Sequence, residues 1–189
     1  SRGIGLAIAR GLANDGYEVI LVARKQEELN DVQKSMPSRA QTFAVDVTDA
    51  EAVAGMCRTI PALDILVNAA GVIEPIGSIE NVDPEQWLQL LKINVFGTFL
   101  MTHACVPLLA KRGGTIINFV GGGEGAFPNF SAYAASKGAI ARFTETAAVE
   151  LKTKNITVNA IAPGPVNTKM TDNMIAAGED AGAQYERAL

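Results

Sequence analysis

The sequence predicts an α/β protein built as one doubly wound parallel sheet with helices on both faces. Two observations predict it. Short apolar runs rich in β-branched residues alternate with helical stripes from end to end of the 189 residues. Those runs are too uniformly apolar for a sheet with one wet face, and match strands buried on both sides by crossover helices. With 48% hydrophobic residues and no internal repeat, low-complexity run or linker, residues 1–189 read as a single domain.

The elements follow in order. GIGLAIARGLANDG carries Ile4, Leu6, Ile8, Ala9, Leu12 and Ala13 as a helical stripe ending at Gly16. EVILVA (18–23) is a strand, and a polar helix over roughly 25–35 stops before Pro37. QTFAVDV (41–47) is the next strand, and TDAE (48–51) has the Thr-x-x-Glu spacing of a capping box opening a helix. LDILVNAAG (63–71) is a strand running into a glycine-terminated turn. Asp83–Pro84 supplies a cap and a first-turn proline for a long helix over 84–111, with Trp87, Leu90, Leu91, Val95 and Phe96 on one stripe. GTIINFV (114–120) is a strand, 130–152 a helix of small residues, ITVNAIAPG (156–164) the last clear strand, and 165–189 a loop followed by a helix. No strand feeds the first helix and none closes the far end, so a fragment whose sheet lacks its first and C-terminal strands is expected.

Composition narrows the function. A net charge of −4 without a block of like charge disfavours nucleic acid and anionic membrane as partners. No apolar run reaches the ~18–20 residues of a membrane span, and no signal-peptide pattern is present. Cys57 and Cys105 lack metal-type spacing and read as buried reduced thiols, suiting a reducing, cytoplasmic location without a metal site. The lone histidine, His103, reads as structural or surface.

Chemistry concentrates at predicted strand ends, where open α/β sheets bind ligands. Gly3 and Gly5, opening a helix, allow either pyrophosphate to approach the backbone or a helix and strand to pack closely. The second strand position ends Ala23–Arg24, with no acid for a ribose 2′-hydroxyl, and Arg2 adds another cation. Together they favour NADP over NAD, unless both are solvated surface charges. Asp46 either accepts from an adenine amino group or caps the following helix, and NAAG (68–71) either lines the cofactor or makes a tight turn. Tyr133 and Lys137 share a helix face at i,i+4, and a nearby ammonium is expected to lower the phenol toward neutrality for proton transfer.

These motifs, running from SRGIG through NAAG, INVFGTF and YAASK to NAIAPGPVNTKM, resemble the short-chain dehydrogenase/reductase family in the same order over nearly the whole chain. The chain is most similar to the 3-oxoacyl-thioester (acyl carrier protein) reductase-like branch. The resemblance implies a Rossmann-type sheet, a nicotinamide cofactor and a carbonyl or secondary alcohol as the small-molecule substrate. It implies Tyr133 as catalytic acid/base, Lys137 as its modulator and ribose ligand, and Asn94 as holder of a relay water. Cofactor contacts are implied at Ser1, Arg2, Gly3, Ile4, Gly5, Arg24, Asp46, Val47, Asn68, Ala69, Ala70 and Gly71, and at Pro163, Gly164, Val166 and Thr168. It also implies a homo-oligomer pairing the helices at 84–111 and 130–152.

One departure matters. The family's serine closes the strand before the tyrosine, whereas this strand reads NFVGGG, with Val120 or Gly121 in its place. Loss of one such donor typically slows an enzyme ~10²–10³-fold. A catalytically impaired dinucleotide-binding pseudoenzyme is therefore the alternative. Ser131 is either a substitute donor or a helix cap. A nucleotide-sugar epimerase also uses Tyr-x3-Lys, but NAAG and Arg24 argue against it.

Overall fold

The computed structural model describes residues 1–121, 126–164 and 166–181. Helices and strands alternate as α1 (Gly3–Asn14), β1 (Val19–Ala23), α2 (Gln26–Lys34), β2 (Ala40–Ala44), α3 (Ala50–Thr59) and β3 (Ile65–Asn68). A continuous helical run follows, α4 (Pro84–Leu91), a π-helical turn (Lys92–Phe96) and α5 (Gly97–Leu109). The remainder is β4 (Gly114–Phe119), α6 (Ser131–Glu150), β5 (Ile156–Ile161) and α7 (Lys169–Ala176), with short 3₁₀ turns after α6 and α7.

Every strand pairing is parallel, as uniform apolarity predicts, but the single sheet becomes two. One has the order β1-β2 and the other β3-β4-β5. In a doubly wound order, the strand that would feed α1 lies between β1 and β3, so their facing edges are left unbonded to each other. One core still joins the sheets. Val19 and Leu21 of β1 pack with Ala9, Ala13, Leu29 and Val32 of α1 and α2. The alternate residues, Ile20 and Val22, pack on the main cluster, which includes Leu66, Cys105, Ile116 and Ile156. That alternation places helices on both faces of β1.

Local details correct several boundaries. Strand β2 ends at Ala44, short of the expected 47, although Val45 N–H still donates to Ala23 O at 2.9 Å. Asp49 rather than Thr48 caps α3, accepting from Ala52 N–H at 3.0 Å. Asp83 caps α4 as expected, accepting from Gln86 N–H at 2.9 Å. Ser131 caps nothing: Phe130 occupies the cap position of α6, and Ser131 Oγ accepts from Trp87 Nε1 at 3.2 Å. The expectation that no stretch is apolar enough to span a membrane is also corrected. Pro84–Leu109 passes that test by length and composition, with a mean hydropathy of 1.2. Leu90, Met101, Cys105, Leu108 and Leu109 are buried in the protein as in any core helix.

A buried polar ladder holds the strand ends. Asn68 Nδ2 donates to Asn118 Oδ1 at 2.9 Å and to Thr102 Oγ1 at 3.2 Å. Asn118 Nδ2 donates to Thr144 Oγ1 at 2.9 Å, and that hydroxyl donates to Ile140 O. All four side chains are buried, Asn118 fully. Asn118→Ala would take one hydrogen bond from each of two buried partners, Asn68 and Thr144, so it should destabilise by about 3 kcal/mol in urea unfolding.

Candidate active site

Close approaches between backbone segments assemble the site at the C-terminal strand ends. Gly3 opens α1 at φ +58°, a conformation that favours glycine, and a Cβ there would meet Thr168 Cγ2 at 3.6 Å. A Cβ on Gly5 would stand 3.0 Å from that of Ala69, so α1 starts against the NAAG turn. Gly97 lets Val47 come close, since a Cβ there would lie 2.7 Å from Val47 Cγ2. Gly71 faces Asn94 in the same way, at 3.4 Å from its Oδ1. Thus Gly3 meets Thr168 and Gly5 meets Ala69, while Val47 meets Gly97 and Gly71 meets Asn94, with Ser1, Arg2, Ile4 and Ala70 beside them in the chain. Pro163, Gly164 and Val166 are exposed on the segment leading to Thr168, with Gly164 at φ +70°.

The cationic corner is more mixed than expected. Among the described residues neither Arg2 nor Arg24 is in an ion pair. Glu28 of α2, not anticipated from the sequence, accepts from Ser1 Oγ at 2.7 Å. That hydroxyl, with Lys25 and Arg2 nearby, holds its carboxyl below the usual range. Asp46 does not cap α3. Its Oδ1 accepts from Thr48 N–H at 2.9 Å and Thr48 Oγ1 at 2.8 Å. The Thr48 amide is the main cause holding its carboxyl low, with Arg24 and Lys92 adding to it.

Two asparagines tie the surrounding segments together. Asn68 spends its side-chain amide inside the sheet, so that side chain is a structural tie rather than a ligand. Asn94 grips the residue after NAAG with both ends of its amide. Its Oδ1 accepts from Val72 N–H and its Nδ2 donates to Val72 O, both at 2.9 Å. Nδ2 also donates to Ser136 Oγ at 3.1 Å, and Ser136 Oγ donates to Tyr133 O at 2.7 Å. The Asn94 side chain thus links the NAAG loop to α6. The π-helical turn that carries it is the kind of irregularity that often marks a functional position.

Tyr133 and Lys137 share one face of α6, as their spacing requires. Lys137 is 8% exposed, and its Nζ donates to Phe119 O at 2.8 Å while lying 5.4 Å from the Tyr133 ring centroid. The expected depression of the phenol is not found. Burial pushes Tyr133 above its ordinary value, and burial lowers Lys137 to about 8. Desolvation therefore governs both groups, and the lysine's main partner is a strand carbonyl that no side-chain pattern could reveal. The serine question resolves geometrically. Val120 still belongs to the β4–β5 ladder, donating to Ile161 O at 3.0 Å. A Cβ on Gly121 would stand 3.4 Å from Tyr133 Oη, so Gly121 is where a side chain would reach the phenol. The following residues, 122–125, lie outside the described ones.

A family model described as short chain dehydrogenase matches residues 1–178. The chain belongs to the short-chain dehydrogenase/reductase family. It is 38% identical over 178 residues to dehydrogenase/reductase SDR family member 4 of Sus scrofa, covering 89% of this chain and 64% of that relative. It is 35% identical to gluconate 5-dehydrogenase of Gluconobacter oxydans, covering 93% of this chain and 72% of the relative. Among solved structures, NAD+-bound xylitol dehydrogenase is 33% identical with a TM-score of 0.87, covering 96% of this chain and 74% of that one. An NADPH complex of actinorhodin polyketide ketoreductase is 30% identical with a TM-score of 0.88 over the same shares. This short-chain dehydrogenase/reductase chain thus spans a little under two thirds of the mammalian relative it matches.

Burial of Lys137 yields a pH-dependent prediction. Between pH 8 and 10.5 the unfolded chain binds more protons at Lys137 than the fold does, so stability from this group rises with pH across that window. Below pH 8 the full cost, on the order of 3 kcal/mol, is present. Lys137→Met removes that cost and a hydrogen bond worth about 1 kcal/mol. It should be more stable than wild type by about 2 kcal/mol at pH 7, with the gain fading toward pH 10.5 in thermal melts.

Proposed function

We propose that this chain carries the active site of an NADP(H)-dependent oxidoreductase that interconverts a carbonyl and a secondary alcohol. The observation that carries the reading is the seating of Tyr133 and Lys137 beside the end of β4, within reach of the Gly121 position. The cradle fits a dinucleotide: at Gly3 a side chain would fill the space before Thr168, and α1 starts there with its amides unfilled by any side-chain cap. Gly3, Gly5, Ala69 and Thr168 would hold it, and when bound it supplies or accepts the hydride. In reduction, Tyr133 gives its hydroxyl proton to the carbonyl oxygen. The raised phenol keeps that proton in place at neutral pH, and Lys137 stands near enough to stabilise the phenolate left behind. Arg24 and Arg2, with no acid at Ala23, support NADP over NAD. The carbonyl of a 3-oxoacyl thioester, implied by the sequence resemblance, is one candidate substrate.

The impaired-catalyst reading is favoured by one specific observation, the absent side chain at Gly121. A substrate oxygen beside Tyr133 has no serine hydroxyl to meet there. Exposed Leu88, Phe96, Phe99 and Val149 on the long helices support self-association as part of the same proposal. The two neighbouring thiols, Cys57 and Cys105, fit a reducing cytoplasm.

Following NADPH absorbance with a ketone panel tests the reading. Turnover should fall to background in Tyr133→Phe, and a wild type no faster than that variant overturns active chemistry. Gly121→Ser should raise kcat by about 10²-fold if the missing hydroxyl limits the rate, whereas Val120→Ser should not. Arg24→Ala should weaken NADPH binding about tenfold and leave NADH unchanged in titrations.

A further inference from the structure

We propose that Cys57 and Cys105 form a peroxide-oxidisable pair that closes into a reversible disulfide between α3 and α5. The proposal stands apart from the oxidoreductase reading, since neither thiol belongs to the strand-end site. Cys57 sits on α3 and Cys105 on α5, 48 positions apart, with their sulfurs 3.8 Å from each other. Both lie in the main core cluster as free thiols. A disulfide holds its sulfurs about 2.05 Å apart, so the pair must close by about 1.8 Å. The neighbourhood can take up that movement. Met56 precedes Cys57 and Met101 stands one turn before Cys105, both in the same cluster. Unbranched thioether side chains refill small gaps more readily than branched ones.

The pair is asymmetric. Cys57 is 6% exposed and Cys105 2%, so Cys57 is the sulfur that a small peroxide reaches first. A hydrogen bond from Cys105 lowers the Cys57 thiol, while the same contact and burial raise Cys105. The Cys57 thiolate attacks one peroxide oxygen and breaks the O–O bond. That oxygen stays on sulfur as a sulfenic acid, and the other leaves as hydroxide, becoming water with the proton that Cys57 gave up. The Cys105 sulfur then attacks the sulfenic sulfur, forming the S–S bond and expelling hydroxide, which takes the Cys105 proton. Two thiols thus lose two electrons and two hydrogens, and one peroxide becomes two waters. A partner thiol already in contact traps the sulfenic acid before more peroxide makes it sulfinic and irreversible. The resting state is the dithiol of a reducing compartment, where protein disulfides are mostly transient or sensing. The closed loop encloses β3, the NAAG turn and the turn bearing Asn94, so oxidation restricts unfolding of segments beside the candidate site.

To test this, the reduced, folded protein is treated with hydrogen peroxide, alkylated under denaturing conditions and digested for mass spectrometry. The expected product is a crosslinked peptide pair carrying Cys57 and Cys105, lighter by two hydrogens and reversed by dithiothreitol. Non-reducing electrophoresis should show it within single chains, and oxidation should raise the melting temperature by about 5–10 °C. Cys105→Ala should lose the crosslink and accumulate sulfinic acid at Cys57 instead. Cys57→Ala should slow oxidation of Cys105 about tenfold or more. Crosslinks found only between chains, or formed only in urea, overturn the proposal. So do independent sulfinic acids at both positions of the wild type, or thiols that peroxide leaves unchanged. If either variant fails to fold, the wild-type crosslink and its reversal by dithiothreitol still decide the matter.

Discussion

The housing of one carboxamide, that of Asn118, governs everything at the strand ends. Its oxygen is taken by Asn68 of β3 and its nitrogen is given to Thr144 of α6, at a position with no solvent exposure. A half-made arrangement there would leave an unpaired amide, so the three elements have one acceptable register rather than several. The next residue, Phe119, presents its carbonyl to Lys137. Helix α6 is therefore tied to β4 at two points seven residues apart, about 10 Å along its axis. Two fixed points set both the rotation and the height of α6, and with them the position of Tyr133.

That scaffold holds Tyr133 and Lys137 largely out of water. Burial disfavours charge on both groups, keeping the phenol protonated and the lysine close to its own neutral form at mildly alkaline pH. The buried lysine is a cost to the fold that a purely structural core would have replaced with an apolar side chain, as expected where function and stability pull apart.

Much of this was legible in the sequence, for identifiable reasons. The parallel α/β class followed from uniformly apolar strands, and the Tyr133–Lys137 face from helical periodicity. Of the two alternatives for Gly3 and Gly5, pyrophosphate approach or close packing, the packing one is seen at Gly5, where a Cβ would stand 3.0 Å from that of Ala69. What stayed hidden depends on backbone partners and on the third dimension. Phe119's carbonyl, Val72's peptide in the grip of Asn94, and Glu28 beside Ser1 carry no sequence pattern. The effect of Lys137 on Tyr133 was misjudged because spacing gives proximity but not desolvation. The split into two sheets could be anticipated only as a missing neighbour, and the packing of Met170 and Met174 of α7 on Ile73 and Phe130 had no sequence signal.

The π-helical turn at Lys92–Phe96 has a consequence for how this region tolerates change in length. One additional residue in a helix advances the phase of everything after it by about 100°. Helix α4 is thereby set to meet α6 through Trp87 and Ser131, while α5 is set to bury Cys105 and Leu109 against the sheet. Deleting a single residue here would produce a more regular helix and a wrongly rotated one. Gly97 would no longer face Val47, and a bulkier neighbour would be driven into the space where a Cβ already comes within 2.7 Å. A one-residue slip shifts the whole downstream helix out of phase.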